Sequence, residues 1–127
     1  MISKLRQRVA HEESAFTLIE LLVVIIILGI LMAIAIPSYL GFKDRANKSA
    51  AQANVRSAVP GIEAYAADHN GYTGATSALL KASYDAGIKH ITVKSATATT
   101  FCIESTVGAS TYHKAGPSAD IQTGACP

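Results

Sequence analysis

The sequence predicts an α+β fold in which one long N-terminal α-helix, transmembrane in its first half, packs against a small antiparallel β-sheet. An apolar run without polar side chains covers residues 21–36. Apolar residues then recur at helical spacing between residues 55 and 66. The last third of the chain alternates apolar and polar residues, as half-buried strands do. A helix that precedes a group of strands is typical of an α+β protein.

The apolar segment, residues 16–39, is long enough to cross a membrane. As a helix, residues 16–36 would rise about 30 Å, the thickness of the hydrocarbon core of a bilayer. Three basic residues precede the segment: Lys4, Arg6 and Arg8. Because positive charge stays on the cytoplasmic side, the sequence predicts a single pass through the cytoplasmic membrane with the N-terminus inside.

One carboxylate, Glu20, lies near the start of this apolar segment. A secretory signal peptide is one interpretation, since Ala33-Ile34-Ala35 has the small residues of a cleavage site. The run is long for a signal peptide, however, and an acid inside it weakens insertion. A plain anchor also leaves Glu20 unexplained, because a carboxylate within the membrane costs about 2.5–3.5 kcal/mol and by default indicates a function.

Two further residues weaken the predicted helix. Gly29 lowers helix stability by about 1 kcal/mol relative to alanine. Pro37 removes the backbone hydrogen bond to the carbonyl of Ala33. The section between residues 29 and 37 is either a kinked part of a membrane span or a weak section that can unwind and stretch. Composition alone does not choose between the two.

The order of residues in the apolar segment carries a family resemblance. The segment opens with Phe16-Thr17-Leu18-Ile19-Glu20 and continues through an aliphatic run to Gly29. It closes with Ala33-Ile34-Ala35-Ile36, Pro37 and Tyr39. This pattern resembles the N-terminus of type IV pilins and of the pseudopilins of type II secretion in bacteria. The resemblance covers about the first third of the chain, and the rest is compatible with it.

The resemblance implies that residues 1–15 are a leader peptide. In that family a prepilin peptidase in the membrane cuts on the cytoplasmic side and methylates the new amine. Cleavage is therefore expected between Ala15 and Phe16, with N-methylation of Phe16. The sequence departs from the family pattern at Ala15, where glycine is usual, and in the acidic pair Glu12-Glu13 just upstream.

The resemblance also implies a role for Glu20 in assembly. In the family the equivalent acid pairs with the N-terminal amine of a neighbouring subunit, here that of Phe16. Pairing offsets the cost of burying a carboxylate, so the acid would favour the assembled state and set its axial register. The alternative is a carboxylate that reaches the membrane interface on an uncut anchor.

Residues 40–127 are expected to form a globular head. Its helix, residues 40–69, turns one apolar face toward the sheet: Val55, Val59, Ile62 and Ala66. Pro60-Gly61 predicts a kink or a local break, and Asn70-Gly71 predicts the end of the helix. A loop over residues 71–87 follows, with a short helix at residues 78–86.

Antiparallel strands are expected over residues 88–114. The first is Ile88–Lys94, with Ile91 and Val93 on one face. The second is Thr99–Val107, in which two faces alternate: Phe101, Ile103 and Val107 on one, Cys102, Glu104 and Thr106 on the other. A third strand, Ser110–His113, follows a turn at Gly108.

The chain has two cysteines, Cys102 and Cys126. If the head is exported, this even count predicts one disulfide, and the alternative is two buried thiols. The bond would close the C-terminal loop 102–126 and stabilise the head by about 3 kcal/mol. Type IV pilins often carry such a loop and major pseudopilins typically do not, so the pair favours a pilin.

Charge and motifs argue against catalysis and nucleic-acid binding. The formal net charge is +2 without a basic cluster, unlike a nucleic-acid footprint. His11-Glu12-Glu13-Ser14-Ala15 lacks the second histidine of a zinc protease motif. The other histidines have no metal-ligand spacing: His69, His90 and His113. We therefore expect no enzyme activity, no cofactor and no metal.

The sequence and the resemblance together predict a structural subunit of a type IV pilus-like filament. Its expected partners are further copies in a homo-oligomeric helical filament, the prepilin peptidase, and an inner-membrane assembly platform with its ATPase. The subunit would reside in the membrane before assembly and in an extracellular filament afterwards. Two alternatives stay open: a type II secretion pseudopilin, and a minor pilin that binds DNA or a surface ligand.

Overall fold

The structure, a computed structural model, describes residues 16–127 and confirms the α+β class. Two helices and four strands follow one another along the chain: α1 (Leu18–His69), α2 (Ser77–Ser83), β1 (Thr92–Ala96), β2 (Phe101–Val107), β3 (Ser110–Gly116) and β4 (Ile121–Thr123). The strands form one antiparallel sheet in the order β1-β2-β3-β4. The predicted leader, residues 1–15, lies outside the described residues.

The chain divides into two compact units, the first ending at Leu40 and the second running from Gly41 to Pro127. In the first unit, α1 exposes its large apolar side chains, from 48 % at Leu28 to 87 % at Leu18. By length and composition α1 is able to cross a membrane. A helix that is apolar on all sides is normally buried in lipid or protein, so we expect this surface to be covered by one of the two.

The core of the second unit is built on one stripe of α1. The stripe residues follow one another at steps of three or four positions and are almost fully buried: Ala51, Val55, Ala58, Ile62 and Tyr65. They pack with buried side chains of the sheet: Phe101, Ile103 and Tyr112. Each large apolar side chain buried in this way contributes about 1.5–3 kcal/mol.

The predicted helix face is only half correct. Val55 and Ile62 are buried, but Val59 and Ala66 lie at the margin of the core and are only partly buried. The stripe instead passes through small residues, Ala51 and Ala58, which let the sheet approach the helix closely. Their small apolar surface makes them weak signals in a hydrophobic pattern.

Of the kink or local break predicted at Pro60-Gly61, the break is wrong, because α1 is continuous through both residues. Buried residues on both sides, Ala58 and Ile62, hold the helix against the core. Gly61 has a packing role instead, since a Cβ placed on it would lie 3.0 Å from Cδ1 of Ile88. The glycine therefore lets the loop before β1 lie against the helix.

The predicted end of the helix is confirmed. Asn70 and Gly71 adopt positive φ angles of 56° and 146°, and the Gly71 N–H donates to the carbonyl of Ala66 at 3.1 Å. α2 follows and is shorter than the predicted helix at residues 78–86. Its N-cap is Thr76, whose hydroxyl accepts a hydrogen bond from the backbone of Leu79 at 3.2 Å.

Three tyrosines fasten the loop after α1 to the helix itself. Tyr65 donates to the carbonyl of Thr73 at 2.9 Å. Tyr72 and Tyr84 each donate to a carboxylate on the last turns of α1, at 2.9 Å in both cases: Glu63 and Asp68. Burial and the hydrogen bond to Glu63 raise the pKa of Tyr72, so this phenol keeps its proton at neutral pH.

The strand boundaries differ from the expected ones. β1 begins at Thr92 rather than Ile88, because His90 has a φ of 53° and interrupts the extended backbone. Ile88 and Ile91 are buried nonetheless, one on each side of this turn. β3 extends to Gly116, and a fourth strand of three residues, β4, pairs with it inside the loop predicted at residues 102–126.

Gly116 fits under an aromatic ring in the sheet. It is the cross-strand partner of Phe101, and a Cβ placed on it would overlap the ring carbons of Phe101. Phe101 is 2 % exposed and also contacts Tyr72, with ring centroids 4.7 Å apart. The ring therefore has no space into which to withdraw.

Replacing Gly116 with alanine should destabilise the second unit by about 1–3 kcal/mol, the usual cost of overpacking. Urea unfolding of the full chain in detergent micelles, followed by near-ultraviolet circular dichroism, measures the effect. Gly41→Ala is the matched control, because a Cβ at Gly41 meets nothing within 4 Å. Equal stability of Gly116→Ala and the unchanged protein would contradict the packing described for Phe101.

Candidate functional site

The first turn of α1 is closed by two reciprocal hydrogen bonds. The backbone N–H of Thr17 donates to Oε2 of Glu20 at 3.3 Å, and the backbone N–H of Glu20 donates to Oγ1 of Thr17 at 3.3 Å. Thr17 is thus the N-cap and Glu20 the third helical residue, the arrangement known as a capping box. The Thr-x-x-Glu spacing could have shown this role in the sequence.

Glu20 also carries the only charged side chain of residues 16–40. Its position in the first helical turn places the carboxylate near the positive end of the helix dipole. Within residues 16–127 the ion pairs are Asp44 with Lys48 and Glu104 with Lys94, so Glu20 has no cation partner there. The second carboxylate oxygen, Oε1, accepts no hydrogen bond from a described residue. The carboxylate can therefore accept a further donor without giving up its cap.

Phe16 lies directly before this capped turn and is 73 % exposed. Ala15, the residue on the other side of the predicted cut, lies outside the described residues. Gly29 and Pro37 lie within α1, which is helical through both, and a Cβ at Gly29 meets nothing within 4 Å. The structure therefore brings Phe16, Thr17 and Glu20 together at one helix end and leaves Gly29 and Pro37 further along.

The cysteines are joined in the second unit. A disulfide links Cys102 of β2 to Cys126, with the two Cα atoms 6.0 Å apart. The bond encloses β3 and β4, and a loop of this size is worth about 3 kcal/mol on the chain-entropy model. It ties the end of the described chain to the centre of the sheet.

A residue whose role sequence reasoning did not identify, Glu104, supports the same end of the chain. Its Oε2 accepts a hydrogen bond from the backbone N–H of Cys126 at 2.9 Å, and its Oε1 lies 3.2 Å from Nζ of Lys94. The Cys126 hydrogen bond, with help from Lys94, lowers the pKa of Glu104 below its ordinary value of 4.5 against the opposing effect of burial. The carboxylate is therefore ionised at neutral pH and holds both partners.

The described residues offer no metal centre. Within residues 16–127 no group of three or more His, Cys, Asp or Glu side chains is placed to hold a metal ion. His69 and His113 engage backbone carbonyls instead, those of Tyr65 at 3.0 Å and Gly124 at 2.8 Å. His90 is exposed in the turn before β1.

Comparison with known proteins locates the similarity at the apolar helix and beyond it. The family model described as the prokaryotic N-terminal methylation motif matches residues 11–36. The type IV wide pilus major component PilA4 of Thermus thermophilus is 39 % identical over 90 residues, which cover 69 % of this chain and 69 % of that protein. That alignment is too long to be explained by the apolar segment alone.

Two other relatives match over shorter lengths. The type IV major pilin protein PilA of Myxococcus xanthus is 38 % identical over 58 residues, 46 % of this chain and 26 % of that protein. The type II secretion system core protein G of Escherichia coli is 31 % identical over 65 residues, 51 % of this chain and 45 % of that protein. The chain thus spans less than half the length of these two relatives.

The attachment formed by Glu104 should make stability depend on pH in the acidic range. A carboxyl group whose pKa is lowered by folding stabilises the fold above its unfolded pKa, and this contribution is lost as pH falls through the folded value. At pH 7 we expect Glu104→Gln to cost about 0.7 kcal/mol, about half the value of a hydrogen bond to a charged group, because the amide remains a neutral acceptor. The difference between the two proteins should shrink once pH falls below about 4.5.

Urea unfolding of the unchanged protein and of Glu104→Gln, in detergent micelles at several pH values between 7 and 3, measures the difference in their free energies of unfolding. At each pH the Gln variant is the reference for the unchanged protein, because it lacks the titrating group but keeps the side-chain volume. A difference that stays constant across the range would exclude ionised Glu104 as the cause.

Proposed function

We propose, given that the chain belongs to the family of type IV pilins and type II secretion pseudopilins, that it is the subunit of a type IV pilus-like filament. The relatives support a structural subunit of the pilin or pseudopilin kind. The observation that carries this proposal is the exposed apolar surface of α1 over residues 18–40, where Glu20 in the N-terminal turn is the one charged side chain. Such a surface suits lipid before assembly and other copies of the helix afterwards.

Cleavage between Ala15 and Phe16 would create a positive amine next to the capped turn, and methylation would keep its charge. The amine is then four residues before Glu20 in the same chain and equally close to the helix end in every copy. In a filament core, the Glu20 carboxylate of one copy pairs with the Phe16 amine of the next. Two observations support this pairing. Glu20 is exposed, and its Oε1 atom accepts no hydrogen bond from the described residues.

Burying a charge in the core of a filament has a free-energy cost. A carboxylate inside an apolar bundle is costly without a partner, and a buried amine without a partner carries the same desolvation cost. Only a neighbour at the correct axial offset satisfies both. The pair therefore acts as a register device, because slipped arrangements leave two charges buried and unpaired.

The proposed location follows from the same segment. The N-terminus lies in the cytoplasm and the second unit outside it, held by one membrane span until an assembly platform and its ATPase extract the subunit. The basic residues before the span support this orientation. We also propose that the section between Gly29 and Pro37 is the weak part of the helix, able to unwind under load, because both residues have low helix propensity.

A type II secretion pseudopilin is the second candidate, and the similarity to several core G proteins favours it. The two candidates share the helix and the pairing but differ in the assembly they form. Deleting the gene separates them: loss of surface filaments with normal secretion supports the pilin, and loss of secretion without loss of filaments supports the pseudopilin. The disulfide-closed C-terminal loop supports the pilin.

The mature protein should begin at Phe16. Intact-mass and N-terminal peptide spectra of protein purified from membranes should show loss of residues 1–15 and a single methyl group on the new amine. Ala15→Gly, which restores the usual family residue, should leave the cut site unchanged. A mature chain that starts at Ile36, after Ala33-Ile34-Ala35, would identify a secretory signal peptide and sink the proposal.

Glu20 variants should separate its two roles. Glu20→Gln keeps a side chain that can complete the capping box but removes the negative charge, whereas Glu20→Ala removes both. If the charge pairs with the Phe16 amine, both variants should remain in the membrane and reduce filaments by at least tenfold, as counted by electron microscopy. If Glu20 serves only as a helix cap, Glu20→Gln should assemble normally.

A further inference from the structure

Residues 124–127, which we name the C-terminal segment, are attached to the outer face of the sheet. Side chains alternate along β2, so Phe101, Ile103 and Ser105 face α1 while Cys102 and Glu104 face away from it. Ser105 confirms the direction, because its hydroxyl accepts a hydrogen bond from Asn54 of α1 at 3.2 Å. The C-terminal segment therefore attaches to the face that the helix does not cover.

Three non-covalent attachments accompany the disulfide. The N–H of Cys126 donates to Oε2 of Glu104 at 2.9 Å. The carbonyl of Gly124 lies 2.8 Å from Nδ1 of His113, and the N–H of Gly124 donates to the carbonyl of Thr111 at 2.8 Å. The segment is thus held at two of its residues by bonds that do not involve sulfur.

Glu104 is placed to act on the disulfide in particular. It lies two residues after Cys102 on the same face of β2, and its hydrogen bond is to the backbone of Cys126 itself. Its side chain is 12 % exposed and is held on the other side by Lys94. His113, its cross-strand partner, holds Gly124. A hydrogen bond to an ionised acceptor is about twice as strong as one between neutral groups, so the ionised carboxylate of Glu104 makes a strong attachment.

We propose that Glu104 is a positioning residue for the Cys102–Cys126 bond: it docks the C-terminal segment on the sheet while both thiols are still reduced. The docked backbone brings the Cys126 thiol to that of Cys102. Exchange with a small disulfide oxidant then joins the two sulfur atoms. The cysteines together lose two protons and two electrons, and the oxidant's sulfur–sulfur bond is reduced to two thiols. The inference does not depend on filament formation.

Docking raises the effective concentration of one thiol at the other, which is measurable. The full chain in detergent micelles is equilibrated with mixtures of reduced and oxidised glutathione, and the fraction oxidised is read by alkylation and mass spectrometry. We expect Glu104→Ala to lower the effective concentration about tenfold, a typical effect of losing a charge-assisted hydrogen bond. Glu104→Gln, which keeps a neutral acceptor, should lie between the unchanged protein and Glu104→Ala, with a decrease in effective concentration of about threefold.

Glu63→Ala is the matched control, because Glu63 also accepts a side-chain hydrogen bond but from Tyr72, away from the disulfide. It should leave the glutathione equilibrium unchanged even if it lowers global stability. An equal effect of Glu63→Ala and Glu104→Ala would mean that general destabilisation, and not positioning, controls the disulfide. That result would overturn the proposal.

A second measurement keeps the test valid if Glu104→Ala fails to fold. The double variant Cys102→Ser, Cys126→Ser cannot form the bond but retains Glu104 and the backbone N–H at position 126. Hydrogen exchange at that amide should remain slowed at least tenfold relative to an unstructured chain. Exchange at the unstructured rate, in a chain whose β2 and β3 amides stay protected, would show that the disulfide alone holds the segment.

Discussion

The second unit depends on the burial of one stripe of α1 against a four-stranded sheet. Short strands have little stability alone, and β4 has only three residues, so a helix must cover one face of the sheet. The alanines of the stripe bring the strands close, and Gly61 does the same for the loop at Ile88. The other contacts, such as Asn54 with Ser105, are arranged around this packing.

The same helix carries two different surfaces because its composition changes along its length. Up to Leu40 it is apolar on every side and, within the described chain, covered by nothing. After Gly41 its apolar residues narrow to one stripe, which its own sheet covers. In the proposed filament, lipid and later other helices take the place of that sheet. Glu20 is then the single group that distinguishes one axial register from another, since apolar surfaces alone pack about equally well in several registers.

Polar contacts and a disulfide attach the C-terminal segment to the outer face of the sheet, whereas apolar packing attaches α1 to the inner face. Cys102, Glu104 and His113 each hold part of the C-terminal segment by a different kind of bond: a disulfide, a hydrogen bond to a carboxylate, and a hydrogen bond between an imidazole and a backbone carbonyl. Such directional bonds give a short segment a fixed position without an apolar core of its own. This arrangement also fixes β4, a strand of three residues that would otherwise be easily lost.

The sequence by itself determined the features that depend on local order and composition. These include the membrane-length helix, its end at Asn70-Gly71, the alternation along β2 and the family resemblance at Phe16 to Glu20. Tertiary structure decided what depends on neighbours distant in the chain. Pro60 stays helical because the core holds both sides, His90 turns because two buried isoleucines flank it, and Glu104 gains its partner from Cys126. A local pattern cannot show these outcomes, because each one is stabilised by contacts that exist only after the chain has folded.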